Sequence, residues 1–157
     1  MAMSNLRAKS APDKLYPNAK HPEEVHPDDC PEVYASFCKG TCLEPVYRDG
    51  CCLVFSKAEA PEPGDYVGIW LHPDALEPDG LPRRVKRLVS MWPGIAFPYK
   101  ASPASEVMPL VMLEQLNPLR IFQIPASHIL AMHKVVGEAE SRGNGMARYR
   151  PAKREAI

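Results

Sequence analysis

The sequence predicts a mainly β fold, a compact coiled β-sheet or partial barrel, from three observations. The chain has 18 prolines among its 157 residues, about twice the average usage, and proline disfavours long helices. Hydrophobic residues make up 45% of the chain, enough to build a packed core. These residues fall in short runs separated by turn sequences, which is the pattern of strands joined by loops.

Several short strands are predicted, with little helix. The turn sequence Arg48-Asp49-Gly50 precedes one apolar run, and Pro63-Gly64-Asp65 precedes another that is rich in aromatic and β-branched residues. A short helix is predicted at 31–36 or at 125–130, where Pro125 suits a first helical turn. The strand candidates are 51–55, 66–71, 84–89, 108–113, 121–124 and 131–137.

Both ends of the chain are predicted to be flexible arms around one domain at 33–139. Residues 1–32 are rich in proline and charge, and their few aliphatic side chains bury too little surface to offset chain entropy. Residues 140–157 form a basic tail. Contact between this tail and nucleic acid is the less favoured interpretation, because the chain carries 19 basic and 19 acidic residues and no nucleic-acid-binding fold is indicated.

Composition also bears on location and on metal binding. No apolar run approaches the ~20 residues of a membrane span, and no apolar stretch follows the basic N-terminal residues, so a cytoplasmic protein without membrane contact is expected. Five cysteines in such a compartment should be thiols. A zinc site is the alternative, but adjacent cysteines on a strand point to opposite faces, so no metal or cofactor is predicted. The cysteines are Cys30, Cys38, Cys42, Cys51 and Cys52.

Short motifs in a fixed order carry the functional information. The order is Gly40-Thr41-Cys42-Leu43-Glu44-Pro45, Arg48-Asp49-Gly50, Pro63-Gly64-Asp65 and Val85-Lys86-Arg87-Leu88, with Asn117-Pro118 before the last strand. Over residues 35–138 this order resembles the catalytic core of the LexA/UmuD/phage-repressor peptidases, which signal peptidases share more distantly. The resemblance implies the LexA C-terminal, signal-peptidase-like fold, a homodimer, and a protein or peptide substrate cut in cis or in trans, as in SOS and phage regulation.

The resemblance also implies a nucleophile–lysine dyad. Carried over by position, the family's nucleophilic serine corresponds to Cys42, and its general base corresponds to Lys86. A lysine among apolar neighbours loses hydration of its charged form, which favours the neutral amine that can activate a thiol. Gly40, Thr41 and Leu43 complete the turn whose backbone N–H groups would serve an oxyanion.

Departures from the family pattern leave a second interpretation open. Cysteine replaces serine, Thr41 stands where the family has aspartate, and Cys51 follows the turn glycine where aspartate is usual. The family's self-cleaved Ala-Gly or Cys-Gly bond is absent upstream, because Gly40 is the first glycine. The alternative is therefore a catalytically inactive LexA-like fold that acts as a dimerisation or protein-interaction module.

Overall fold

A computed structural model of the chain describes residues 26–101, 107–141 and 147–153. The mainly β prediction is confirmed, since 47% of the described residues are in strands and the strands form one antiparallel sheet that does not close on itself. In chain order the strands are β1 Val33–Phe37, β2 Cys52–Ser56, β3 Tyr66–Leu71, β4 Arg83–Ser90, β5 Leu110–Leu116, β6 Leu119–Pro125, β7 Ile129–Ser141 and β8 Ala147–Pro151. Three single-turn 3-10 helices occur at Pro27–Asp29, Pro73–Ala75 and Ala126–His128.

The sheet is organised around the long strand β7. The strand order is β1-β2-β7-β3-β4-β5-β6, and β8 also pairs with β7. The first half of β7 pairs with β3 and its second half pairs with both β2 and β8. The hairpin of β5 and β6 lies at the end of this order, so β6 is an edge strand of the described sheet.

Successive side chains of β3 point to opposite faces of the sheet and enter two different cores. Every residue of β3 is buried, because both faces of this central strand are covered. Tyr66 and Trp70 point into a first core, which also contains Tyr34, Leu43, Tyr47, Leu53, Phe55 and Val135. Val67, Ile69 and Leu71 point into a second core with Leu88, Val111, Leu113, Ile129 and Met132. The described part of the chain contains no helix long and apolar enough to cross a membrane.

The helix predictions need correction. The helix predicted at 31–36 is wrong, because Val33–Phe37 is strand β1 and pairs with β2 over its whole length. Val33, Tyr34 and Phe37 favour extended backbone, and this pairing buries the Tyr34 ring, which stacks on Phe55. The segment 125–130 contains only the single turn Ala126–His128 before β7 begins.

Part of the predicted basic tail is in the sheet. β7 continues to Ser141, and β8 pairs with it. Arg150 forms an ion pair with Glu140 (2.7 Å), and Lys153 Nζ donates to the Val46 carbonyl (2.8 Å), so these basic side chains are engaged within the fold. At the other end, residues 1–25 of the predicted N-terminal arm lie outside the described residues, whereas Cys30 is buried against the first core.

Candidate active site

The turn that carries Cys42 follows β1 and is stabilised by hydrogen bonds and by one buried side chain. Gly40 has φ +91°, a conformation that favours glycine, and its N–H donates to the Asp49 carboxylate (2.7 Å). The N–H of Glu44 then donates to the Thr41 carbonyl (3.0 Å). Leu43 is fully buried in the first core and anchors the turn. The turn is therefore fixed on the sheet by its own hydrogen bonds and by one apolar side chain.

The Cys42 backbone docks on the end of β5. Its carbonyl accepts hydrogen bonds from the N–H groups of Leu116 (2.7 Å) and Asn117 (3.0 Å). The Asn117 side-chain amide adds a hydrogen bond to the Thr41 carbonyl (3.3 Å). The turn at 41–42 is thus the partner of the last residues of β5.

This docking is possible because β4 and β5 separate. Their pairing ends at Arg87 and Glu114, whereas β4 remains paired with β3 as far as Arg83. Beyond Arg87, the turn at 41–42 replaces β4 in bonding to β5. The Cys42 carbonyl therefore bonds to β5 just beyond the point where β4 stops pairing with it.

The Lys86 side chain contacts a different set of groups. It is only 8% exposed, and its Nζ donates to the Gln115 side-chain carbonyl (3.3 Å). The same Nζ lies 5.3 Å from the centroid of the Phe122 ring. The Cys42 thiol is not among the hydrogen-bond partners of Lys86. Cys42 is half-buried and packs against the first core, as does Val85, whose side chain points to the opposite face of β4 from Lys86.

The predicted oxyanion turn has the donors that such a site needs. Gly40 and Thr41 are exposed, so a substrate can approach the turn. Among the described residues, the backbone N–H groups of Cys42 and Leu43 donate no hydrogen bond. Two adjacent free N–H groups at a nucleophile are the usual components of an oxyanion hole.

Three of the other cysteines have raised pKa values. Burial raises the pKa of Cys38, and charge repulsion from Cys42 also contributes. Burial also raises the pKa of Cys51 to about 12 and raises the pKa of Cys52. Since the thiolate is the reactive form, these shifts reduce the reactivity of the three thiols at neutral pH. All five cysteines are free, and within the described ranges no three His, Cys, Asp or Glu side chains converge as metal ligands.

Sequence reasoning identified Asn117 through the Asn-Pro motif but missed Gln115 and Phe122. Both lie on the β5–β6 hairpin, where Glu114 pairs with Ile121 and Leu113 pairs with Phe122. Their nearness to Lys86 depends on the register between β4 and β5, which shifts between Leu88 and Ser90. A single sequence contains no signal for that shift.

Comparisons with known proteins gave no match. No protein-family model matches the chain, and neither the curated proteins nor the solved structures contain a match. Function must therefore be inferred from the residues of the Cys42 turn and of strands β4 and β5.

Proposed function

We propose that this chain is a peptidase of the LexA/UmuD type, in which Cys42 attacks a peptide bond and Lys86 is the general base. The observation that carries the proposal is that the Cys42 carbonyl bonds to the Leu116 N–H of β5 just beyond Arg87, where the pairing of β4 with β5 ends. Cys42 is only partly buried and its neighbour Thr41 is exposed, while the amine of Lys86 is shielded from water. No cofactor is required for this chemistry.

The proposed reaction has two steps. The neutral Lys86 amine takes the proton of the Cys42 thiol as sulfur attacks the carbonyl carbon, and the N–H groups of Cys42 and Leu43 hydrogen-bond the resulting oxyanion. Collapse of this intermediate breaks the C–N bond, and the leaving amine receives the proton from Lys86. Water, deprotonated by Lys86, then hydrolyses the thioester and releases the new carboxylate and the thiol.

Lys86 must leave Gln115 to act in this way. Its bond to the neutral Gln115 amide is long, at 3.3 Å. Losing one such bond costs about 0.5–1.5 kcal/mol. That cost is small compared with the contribution of general-base catalysis, which is about 3–5 kcal/mol for a 10²–10⁴-fold effect. The rearrangement also requires the Lys86 side chain to move from the second-core face of β4 to the face on which Cys42 packs.

Alkylation rates test the dyad without knowledge of the substrate. We expect iodoacetamide to modify Cys42 first, and we expect Lys86→Met to slow that modification about tenfold or more, because the base that forms the thiolate is lost. Lys39→Met is the matched control, since Lys39 is exposed and lies three residues from Cys42. Equal effects of the two variants would show a general charge effect and would contradict the dyad.

Intact-mass analysis over time tests cleavage itself. Incubation of the protein alone and with a cell extract should yield a discrete shorter species, from this chain or from a partner, that is lost in both Cys42→Ala and Lys86→Met. Cys42→Ser restores the nucleophile of the family and should retain cleavage. Full-length chains throughout, together with Cys42 reactivity that is unchanged by Lys86→Met, would refute the proposal.

A non-catalytic interaction module is the second candidate. The observation that favours it is the engagement of Lys86 with Gln115 and Phe122 rather than with Cys42. In this case the protein acts as a homodimer or docks on another protein in the cytoplasm. Cys42→Ala should then leave both the stability and the association of the chain unchanged, and sedimentation should show dimers at tens of micromolar (on the order where weak dimers form).

A further inference from the structure

A cavity opens on the second-core face of the sheet, beside Lys86. Its volume is about 160 Å³, comparable with the ~150 Å³ apolar cavities that hold a benzene ring. Its wall is formed by strands β3 to β6 and by Glu77 from the loop before β4. The lining is apolar on one side, with Ile69, Leu71, Leu113, Phe122 and Ile124, and polar on the other, with Glu77, Arg84, Lys86, Gln115 and Arg120.

Two of the three basic residues of this cavity have no acidic partner. Arg84 makes two hydrogen bonds to the Asp79 carboxylate (2.6 and 2.7 Å), so its charge is neutralised within the fold. Among the described residues, neither Lys86 nor Arg120 is paired with a carboxylate. Both cationic groups lie close to one aromatic ring, since Lys86 Nζ is 5.3 Å and Arg120 Cζ is 4.9 Å from the Phe122 centroid.

Lys86 and Arg120 lie at different depths in the cavity. Lys86 is buried, whereas Arg120 is exposed on the edge strand β6. A ligand entering past Arg120 would therefore meet an exposed cation first and a buried ammonium next. Burying an ammonium with only a neutral amide as partner is costly, and an anion in the cavity would remove that cost.

We propose that this cavity binds a small apolar monocarboxylate. The carboxylate would accept charge-assisted hydrogen bonds from Lys86 and Arg120, and an aliphatic group would pack against Ile69, Leu71 and Ile124. Glu77 on the polar wall would repel the second negative charge of a phosphate, which favours a monocarboxylate. Such a group occurs at the C-terminus of a peptide ending in an aliphatic residue and in free branched-chain acids. The proposal does not depend on peptidase activity.

Calorimetric titration of the full chain tests it. Isocaproate and N-acetyl-leucine represent the free acid and the peptide terminus, and isocaproamide has the same apolar group without the charge. We expect saturable binding of at least one acid, and affinity for the amide lower by about tenfold or more, since a hydrogen bond to a charged group contributes about that factor. Arg120→Gln should weaken acid binding to a similar extent. Arg148→Gln removes the same charge from an exposed residue outside the cavity and should have no effect.

Each result of the titration either supports or overturns the proposal. Binding of both acids supports the proposal with a peptide terminus as occupant, and binding of isocaproate alone supports it with a free acid. Equal affinities for isocaproate and isocaproamide would overturn it, because the cavity would then recognise only the apolar group. Absence of acid binding at millimolar concentration, or an unchanged affinity in Arg120→Gln, would also overturn it.

Discussion

A histidine buried in the sheet should make the stability of this protein fall steeply in mild acid. His133 on β7 is 5% exposed. A hydrogen bond of 2.5 Å joins the Tyr34 hydroxyl to its Nδ1, with the donor set by the imidazole tautomer. Burial, together with the smaller effect of the nearby positive charges of Lys57 and Arg83, lowers the pKa of His133 from 6.5 to about 4. Burial also raises the pKa of Tyr34, so both groups are neutral in the folded protein at neutral pH.

The sign and size of the effect follow from proton linkage. In the unfolded chain the pKa of His133 returns to its ordinary value, so between pH 6.5 and about pH 4 the unfolded state binds more protons than the folded state. The free energy of unfolding therefore decreases as pH falls through this window. The loss attributable to His133 is about 2 kcal/mol by about pH 5 and about 3 kcal/mol by about pH 4, since one pKa unit corresponds to about 1.4 kcal/mol.

Urea unfolding of the wild type and of His133→Gln measures this term. Glutamine does not titrate, and the carboxylates titrate alike in both proteins, so the difference between the two pH profiles isolates the histidine. The wild type should lose about 2 kcal/mol more than the variant between about pH 8 and about pH 5. Tyr34→Phe is a second control that keeps the titrating ring and should keep the steep profile. Parallel profiles for the wild type and His133→Gln would refute the reasoning.

Two further predictions concern β8 and the buried lysine. An added Cβ at Gly137 would lie 2.7 Å from the Arg150 carbonyl and would also overlap the Tyr149 ring, so Gly137→Ala should detach β8, at a cost of about 1–3 kcal/mol. Hydrogen exchange of the β8 amides would report the detachment, and unchanged protection would contradict it. Lys86→Met should leave the free energy of unfolding unchanged or raise it by about 1 kcal/mol, because a buried ammonium without a carboxylate partner is replaced by an apolar chain of similar length. Urea unfolding checks this, and a loss above about 1 kcal/mol would show that the ammonium stabilises the fold.

The sequence was most informative where local signals agree. Strand β3 occupies the predicted residues 66–71, because a Pro-Gly-Asp turn precedes a run that is apolar at every position and rich in β-forming residues. β1 was predicted as a helix, because a segment of five residues after a proline is too short to distinguish the periodicity of a helix from that of a strand. β8 was missed for a different reason. Ala147–Pro151 has only one apolar aromatic side chain, and it becomes a strand because β7 offers a free edge and Gly137 leaves room for Tyr149.

For the candidate site, the sequence located the residues but not the directions of their side chains. The order of motifs selected Cys42 and Lys86 from 157 residues. The Cys42 carbonyl does bond to the end of β5, and Arg87, next to Lys86, pairs with Glu114 of the same strand. The motif order does not specify where the Lys86 amine points, because that depends on the side chains around it. Those side chains include Gln115 and Phe122, and neither belongs to a recognisable motif.

The proposed reaction requires Lys86 to leave the environment in which the structure places it. In the structure its amine lies in the cavity with Gln115 and Phe122, and in the proposed reaction it turns to Cys42 in the gap between the strands. One amine cannot hold a carboxylate in the cavity and act as a base at the thiol at the same time. Under both proposals, occupancy of the cavity and activity of the dyad would therefore be mutually exclusive, because ligand binding in the cavity would shift the population of Lys86 away from Cys42. If the carboxylate is the end of a cleaved peptide, the same geometry makes the product an inhibitor of its own formation.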